Sequence, residues 1–329
     1  MVELSVVTPT FNRQARLGRT LAALERQTIP ADRFEVVVVN DGSTDGTAAW
    51  LGQQRPSFQL RCITTENGGP ARARNTGIEA ASGELVVFVD DDVEPQATLL
   101  EEHLRSHRDE SDVVVMGPLL SLPRYSQPWV AWEQANLEKQ YAAMARGDWA
   151  PSFRQFWTGN ASVARRHLLA AGLFDPSYLR AEDIELGIRL GKLGLSFRFN
   201  PKAGGYHYAE RSLASWEHAF ASYGTNDVSI FAKLGDQEML EILSASWRSL
   251  NPANRWLIQR SLTRPAQRKA ACAALRSQLR VAERIALPSA VSQRLCSLLA
   301  GFNYWPACAR ALGAENASRV LGLSLVAEP

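Results

Sequence analysis

Three consecutive carboxylates, Asp90, Asp91 and Asp92, stand at the end of an unbroken apolar run, Leu85-Val86-Val87-Phe88-Val89, and Pro95 follows closely. Like charges within about 10 Å of chain repel one another, and a core offers them nothing. A divalent cation does: hard carboxylate oxygens suit Mg²⁺ or Mn²⁺, which such sites often share with the phosphates of a substrate. The competing expectation is a solvated acidic turn. A second acidic group, Glu182-Asp183 with Glu185, opens a stretch of helical spacing. The helix dipole favours carboxylates in a first turn, so capping alone accounts for them. A carboxylate held there would also stay ionised at neutral pH, which a general base requires. His207, between Tyr206 and Tyr208, suits a neutral metal ligand or an ordinary structural histidine.

These residues need a scaffold that brings distant stretches to one edge. The apolar run ending at Val89 is β-branched and uninterrupted, which suits a strand buried on both faces of a parallel sheet. Residues 4–8, 34–39 and 59–64 also read as strands, and helical patterns lie between them, with one expected over residues 71–81. Strand and helix thus alternate four times in about 90 residues, which predicts a right-handed, Rossmann-like α/β sheet. Ligands of such sheets gather beyond the carboxyl ends of the strands. There the sequence places Pro9, Phe11 and Arg13, then Asp41, then Arg72 and Arg74, then the acidic trio. Asp41 reads as an acceptor for a base or sugar donor, or as an Asx-turn residue. Arg72 reads as a phosphate partner; Arg74 is discounted as part of a solvated helix face. A fifth strand is expected over residues 113–120, then an irregular aromatic stretch over 123–157, and a short strand containing Trp157, Gly159 and Asn160 beside the site.

The chain has 329 residues, 46% apolar and 21% charged, as in ordinary globular proteins. The net charge of +2 hides an asymmetry: residues 240–329 carry 12 Lys and Arg against four Glu. After Ser212 the pattern is helical, punctuated by Gly235, Pro252, Pro265, Pro288 and Pro306. The domains are therefore placed at 1–210 and 211–329, the second a helical extension serving an acceptor, an oligomer contact or a peripheral membrane contact through its basic helices. No run approaches the 18 or so apolar residues of a membrane span, and no secretory leader is read. Cys62, Cys272, Cys296 and Cys308 lack metal-site spacing and are expected to be buried, reduced thiols. The location expected is cytoplasmic, with membrane contact confined to the inner face. Nucleic-acid binding is not expected. A dinucleotide dehydrogenase would want GxGxxG after the first strand, where Thr8-Pro9-Thr10-Phe11-Asn12 stands instead.

The motifs Thr8-Pro9-Thr10-Phe11-Asn12-Arg13, Asn40-Asp41-Gly42-Ser43-Thr44-Asp45, Gly69-Pro70-Ala71-Arg72-Ala73-Arg74-Asn75 and Asp90-Asp91-Asp92, with Gly159-Asn160 and Glu182-Asp183, resemble those of inverting family 2 glycosyltransferases of GT-A fold. The resemblance covers about residues 2–210. It implies a mostly parallel central sheet flanked by helices, a nucleotide-sugar donor (by default a UDP-sugar), and a carbohydrate, lipid-linked or small-molecule acceptor. It further implies that Pro9, Phe11, Arg13, Asp41, Arg72, Asp90 and Asp91 hold the donor, and that Asp92 and His207 ligate Mn²⁺ or Mg²⁺. Asp183, beside Glu182, would be the base, and Trp157, Gly159 and Asn160 would face the acceptor. The triple aspartate leaves the register open between Asp91 and Asp92. The QxxRW motif of processive members is absent at Arg255-Trp256, which favours transfer of a single sugar. A catalytically inactive nucleotide-sugar-binding protein on the same fold is the alternative.

Overall fold

The computed structural model describes residues 2–108, 110–121, 125–285 and 289–322; Pro288 and the last seven residues lie outside them. The chain divides into two compact units, one of Met1–Pro123 and Asn136–Ala209, the other of Arg124–Ala135 and Glu210–Pro329.

In the first unit β1 (Leu4–Thr10), α1 (Gln14–Leu24), β2 (Phe34–Asp41), α2 (Thr47–Leu51), β3 (Gln59–Thr65), α3 (Pro70–Ala80) and β4 (Leu85–Val89) follow one another. Every residue of β2 and β4 is buried, as continuous apolar runs demand of strands covered on both faces. The strands pair in parallel in the order β3-β2-β1-β4. Edge strand β3 is open to solvent at Gln59, Cys62 and Thr64, so Cys62 is exposed, against the expectation of a buried thiol.

After β4 come β5 (Val93–Pro95), α4 (Leu99–His107), β6 (Val113–Met116) and β7 (Leu119–Ser121). The single strand expected over 113–120 is thus broken in two. Pro118 has no N–H for a ladder, and Gly117 lies so close to the Ala203 carbonyl that a Cβ would collide with it. The stretch 123–157 is not irregular either: α5 (Pro128–Arg146) occupies its middle. Pro128 starts that helix, and the Ala, Glu, Gln, Lys and Met that follow Trp132 are strong helix formers. β8 (Asn160–Ala164), α6 (Arg165–Ala170), α7 (Glu182–Lys192), β9 (Ser196–Phe199) and β10 (Gly205–His207) complete the unit. The seven-stranded sheet runs β3-β2-β1-β4-β8-β6-β9, with β8 antiparallel to both neighbours and every other pair parallel. A small sheet, β5-β10-β7, stands apart from it.

The second unit is helical: α8 (Leu213–Ala232), α9 (Asp236–Arg248), α10 (Pro252–Leu262), α11 (Pro265–Ile285) and α12 (Ser289–Leu321). Tyr304 on α12 donates its hydroxyl to Asp227 on α8 at 2.6 Å, and Trp247 on α9 meets Trp305 edge to face. Residues 124–135, which the sequence places with the sheet, belong here because Trp132 packs on Trp216 and Phe220, ring centroids 5.8 and 5.7 Å away. No described helix is long and apolar enough to cross a membrane.

Candidate active site

The acidic trio leaves the sheet at the carboxyl end of β4, and its three carboxylates part ways. Asp91 turns into the protein, where the Thr10 hydroxyl donates to it at 2.7 Å and Arg13 at 3.0 Å. Burial pushes its carboxyl up to about 6, with Asp92 and Asp90 adding repulsion against the pull of Arg13. Asp92 accepts from the same Arg13 nitrogen at 2.9 Å and from Arg16 at 3.5 Å. Its other oxygen lies 3.5 Å from Nε2 of His207. Burial would raise this carboxyl too, but His207, Arg13 and Arg16 outweigh it and hold it at about 2. The small sheet explains how His207 arrives: β10 runs antiparallel to β5 with His207 opposite Val93, and the Tyr208 amide donates to the Asp92 carbonyl at 2.8 Å. Among the described residues, no three His, Cys, Asp or Glu side chains cluster closely enough to hold a metal alone. Asp92 and His207 still offer two facing donors, and the guanidiniums drawn to Asp92 show that positive charge is favoured there. That set fits Mg²⁺ or Mn²⁺ completing its shell from phosphate and water, not a cage made of protein alone.

Asp90 faces the other way, and its partner is the residue the sequence reading discounted. Arg74 is buried, 5% exposed, and bridges Asp90 and Glu182 at 2.7 Å each. The two carboxylates keep its guanidinium charged despite burial, above even the usual arginine range. The spacing of Ala71, Arg74 and Ile78 on α3 puts all three on the core face, and all three are buried. That period was the signal available in the sequence. Arg72 points outward, and among the described residues its guanidinium has no protein acceptor.

Arg74 thereby ties the end of β4 to the start of α7. Ala181, which precedes that helix, adopts a left-handed conformation at φ 61°, uncommon for a residue with a Cβ. Glu182 and Asp183 form the first turn, and the Ile184 amide donates to Asp183 at 2.9 Å. The helix dipole is not the only influence on Asp183. Burial, reinforced by Glu182, pushes its carboxyl up to about 7 against Arg74 and the amides of Ile184 and Thr158. Asp183 nevertheless keeps partial exposure to solvent. Glu185, fully buried, pairs with Arg189 on the same helix and takes no part in the site.

The remaining positions divide. Phe11 is 44% exposed, Pro9 is half-buried, and Asn12 pins their loop by accepting from the amides of Thr44 and Asp45 at 2.8 and 3.2 Å. Asp41 is buried and spends each oxygen on the Gly68 and Gly69 amides, at 2.8 and 2.9 Å, so it first shapes the turn into α3. Gly159 lies against Asp90, whose amide it accepts, and Trp157 is half-buried edge to face on Tyr141. Asn160 is a correction. Its side chain is buried, donates to the carbonyls of Ala203 and Pro118 at 2.7 and 3.2 Å, and meets Nε2 of His103 at 2.9 Å. It locks β8 and cannot face an acceptor. Burial holds that His103 down at about 4, hence neutral.

Residues 5–167 match the family model described as glycosyl transferase family 2. Over this segment, just under half of the chain, the sequence is similar to that family. Among curated relatives, an uncharacterized glycosyltransferase, YfnE, of Bacillus subtilis (strain 168) is 29% identical over 247 residues, 60% of this chain and 62% of the relative. A validoxylamine A glucosyltransferase of Streptomyces hygroscopicus subsp. limoneus is 33% identical over 220 residues, 58% of this chain and 48% of the relative. The chain spans about half to three-fifths of the length of these relatives. Among solved structures, the mannosyltransferase PcManGT from Pyrobaculum calidifontis, in complex with GDP-Man and Mn²⁺, shares 20% identity at a TM-score of 0.61, over 92% of this chain and 87% of its own. Residues 1–349 of S. aureus TarS, in complex with UDP, share 19% identity at a TM-score of 0.52, over 90% of this chain and 89% of that one. The fold is of GT-A type, a mostly parallel sheet flanked by helices with a helical C-terminal part.

Proposed function

We propose that this protein transfers one sugar from a nucleoside diphosphate sugar to an acceptor hydroxyl, with inversion at the anomeric carbon. The observation that carries this reading is the Arg74 bridge, which joins Asp90, at the acidic strand end that runs on into Asp92, to Glu182, the chain neighbour of Asp183. Asp183, part exposed, takes the proton from the acceptor hydroxyl. The oxygen then bonds to the anomeric carbon as the bond to the diphosphate breaks, and one displacement inverts the centre. Asp92 and His207 would hold Mn²⁺ or Mg²⁺, which when bound offsets charge on the departing diphosphate. Arg13 and the outward Arg72 would meet phosphate oxygens and Phe11 and Pro9 the base, with Asp41 bracing the turn into α3. The GDP-Man and Mn²⁺ bound by PcManGT and the UDP bound by TarS support a nucleotide-linked donor and a divalent ion here.

A panel of nucleotide sugars, with and without Mn²⁺, tests this reading by thermal shift and by release of nucleoside diphosphate. Metal-enhanced stabilisation by one donor, with release that accelerates when an acceptor is added, is the expected result. Binding with no release under any acceptor would leave an inactive binding protein.

A further inference from the structure

The second unit holds a charge arrangement that glycosyl transfer does not explain. On α11 the residues Arg268, Cys272 and Arg276 recur every four positions and so share one helix face. With Lys269, and with Asn303 and Arg310 of α12, they line a pocket of about 210 Å³. The carboxylate in reach is already committed: Glu217 accepts from Nε of Arg276 at 2.8 and 3.0 Å and from Asn303 at 3.3 Å. Arg268, Lys269 and Arg310 have no acidic partner among the described residues. Burial, and next the charge of Arg310, pulls the Arg268 guanidinium below the ordinary arginine range. A folded chain gains nothing by gathering three unneutralised cations around a recess unless an anion joins them.

We propose that this pocket is an anion site, and that its ligand is a phosphate group. Guanidinium forks match phosphate oxygens in pairs, and an ammonium and an amide add single donors, so the lining has the donor chemistry of phosphate recognition. The pocket is large enough for a phosphate and a small part of what carries it, and too small for a sugar nucleotide of several hundred cubic ångströms.

Calorimetry of the full chain with inorganic phosphate, and with vesicles of phosphatidylglycerol in phosphatidylcholine, tests it against the double variant Arg268→Ala/Arg310→Ala and against Arg310→Glu. Wild type is expected to bind at least one probe, and the double variant at least about tenfold more weakly, the scale of a lost charge-assisted hydrogen bond. Arg310→Glu, which supplies the counter-charge internally, is expected to remove the response and to melt no lower than wild type without phosphate. A response to phosphate alone identifies a soluble phosphoester; a response to the vesicles alone identifies a lipid headgroup. Equal binding by wild type and both variants, or no binding of either probe by wild type, would overturn the proposal.

Discussion

Asp92 and Asp183 are both aspartates, both deep-set and both in reach of arginine, yet their carboxyls are driven in opposite directions, to about 2 and about 7. Asp92 has two arginines and a histidine against it, enough to outweigh the cost of burial. Asp183 has a share of one arginine, and that arginine is already divided between Asp90 and Glu182. The lesson is that the number of opposite charges left over, more than depth, decides which carboxylate remains an anion for a cation or phosphate-bound metal and which can exchange a proton near neutrality.

The largest way to break this contrast is to remove the base. Asp183→Asn is expected to lower kcat by about 10²–10⁴-fold while calorimetry finds donor affinity within about twofold of wild type. Turnover near normal would take Asp183 out of the role. Next comes the shared cation. Arg74→Ala leaves Asp90 and Glu182 facing each other across a buried gap, and urea denaturation should show a loss of about 3–5 kcal/mol. A loss below about 1 kcal/mol would mean that the bridge does not hold the two motifs together.

Asp92→Ala should abolish the gain in donor affinity that Mn²⁺ confers, by at least about tenfold, because even residues that only support metal ligands are worth that much. Unchanged calorimetric affinity would remove Asp92 from the ligand set. The pH dependence sharpens the comparison further. A base raised to about 7 is protonated below that pH, so kcat/KM should climb about tenfold per unit up to pH 7 and then level. The same shift affects stability with the opposite sign. Between 3.8 and about 7 the folded form keeps a proton that the unfolded form has lost, so Asp183 makes stability fall as pH rises, and Asp183→Asn should flatten that fall. Smallest is Thr10→Val, which removes the 2.7 Å bond to Asp91 and should cost about 1 kcal/mol in denaturation, with transfer largely kept.

The strands β1, β2 and β4 were legible because each is a largely apolar run ending in polar residues, and burial on both faces leaves little choice of structure. The break between β6 and β7 was not, since Gly117 is small for the sake of the Ala203 carbonyl, 86 positions away. The helix Pro128–Arg146 was hidden by its aromatic residues, which read as irregular, although Trp132 packs on Trp216 and Phe220 in the second unit. At the site the acidic groups were readable from composition alone, and His207 from its place near the end of the α/β stretch. Partnership was harder. Arg74 needed its helical phase taken seriously, and Asn160 needed knowledge of carbonyls from Pro118 and Ala203 that only the folded sheet brings to it. The rise at Asp183 depends on how far Arg74 is shared, which no local pattern encodes.

Crystals grown with manganese and a nucleoside diphosphate, measured at the manganese absorption edge, address the division of labour most directly. The account predicts one anomalous peak bonded to Asp92 and the diphosphate, with Arg13 released from Asp92 and no metal on Asp183. A peak on Glu182 or Asp183, with Asp92 still held by Arg13, would contradict it.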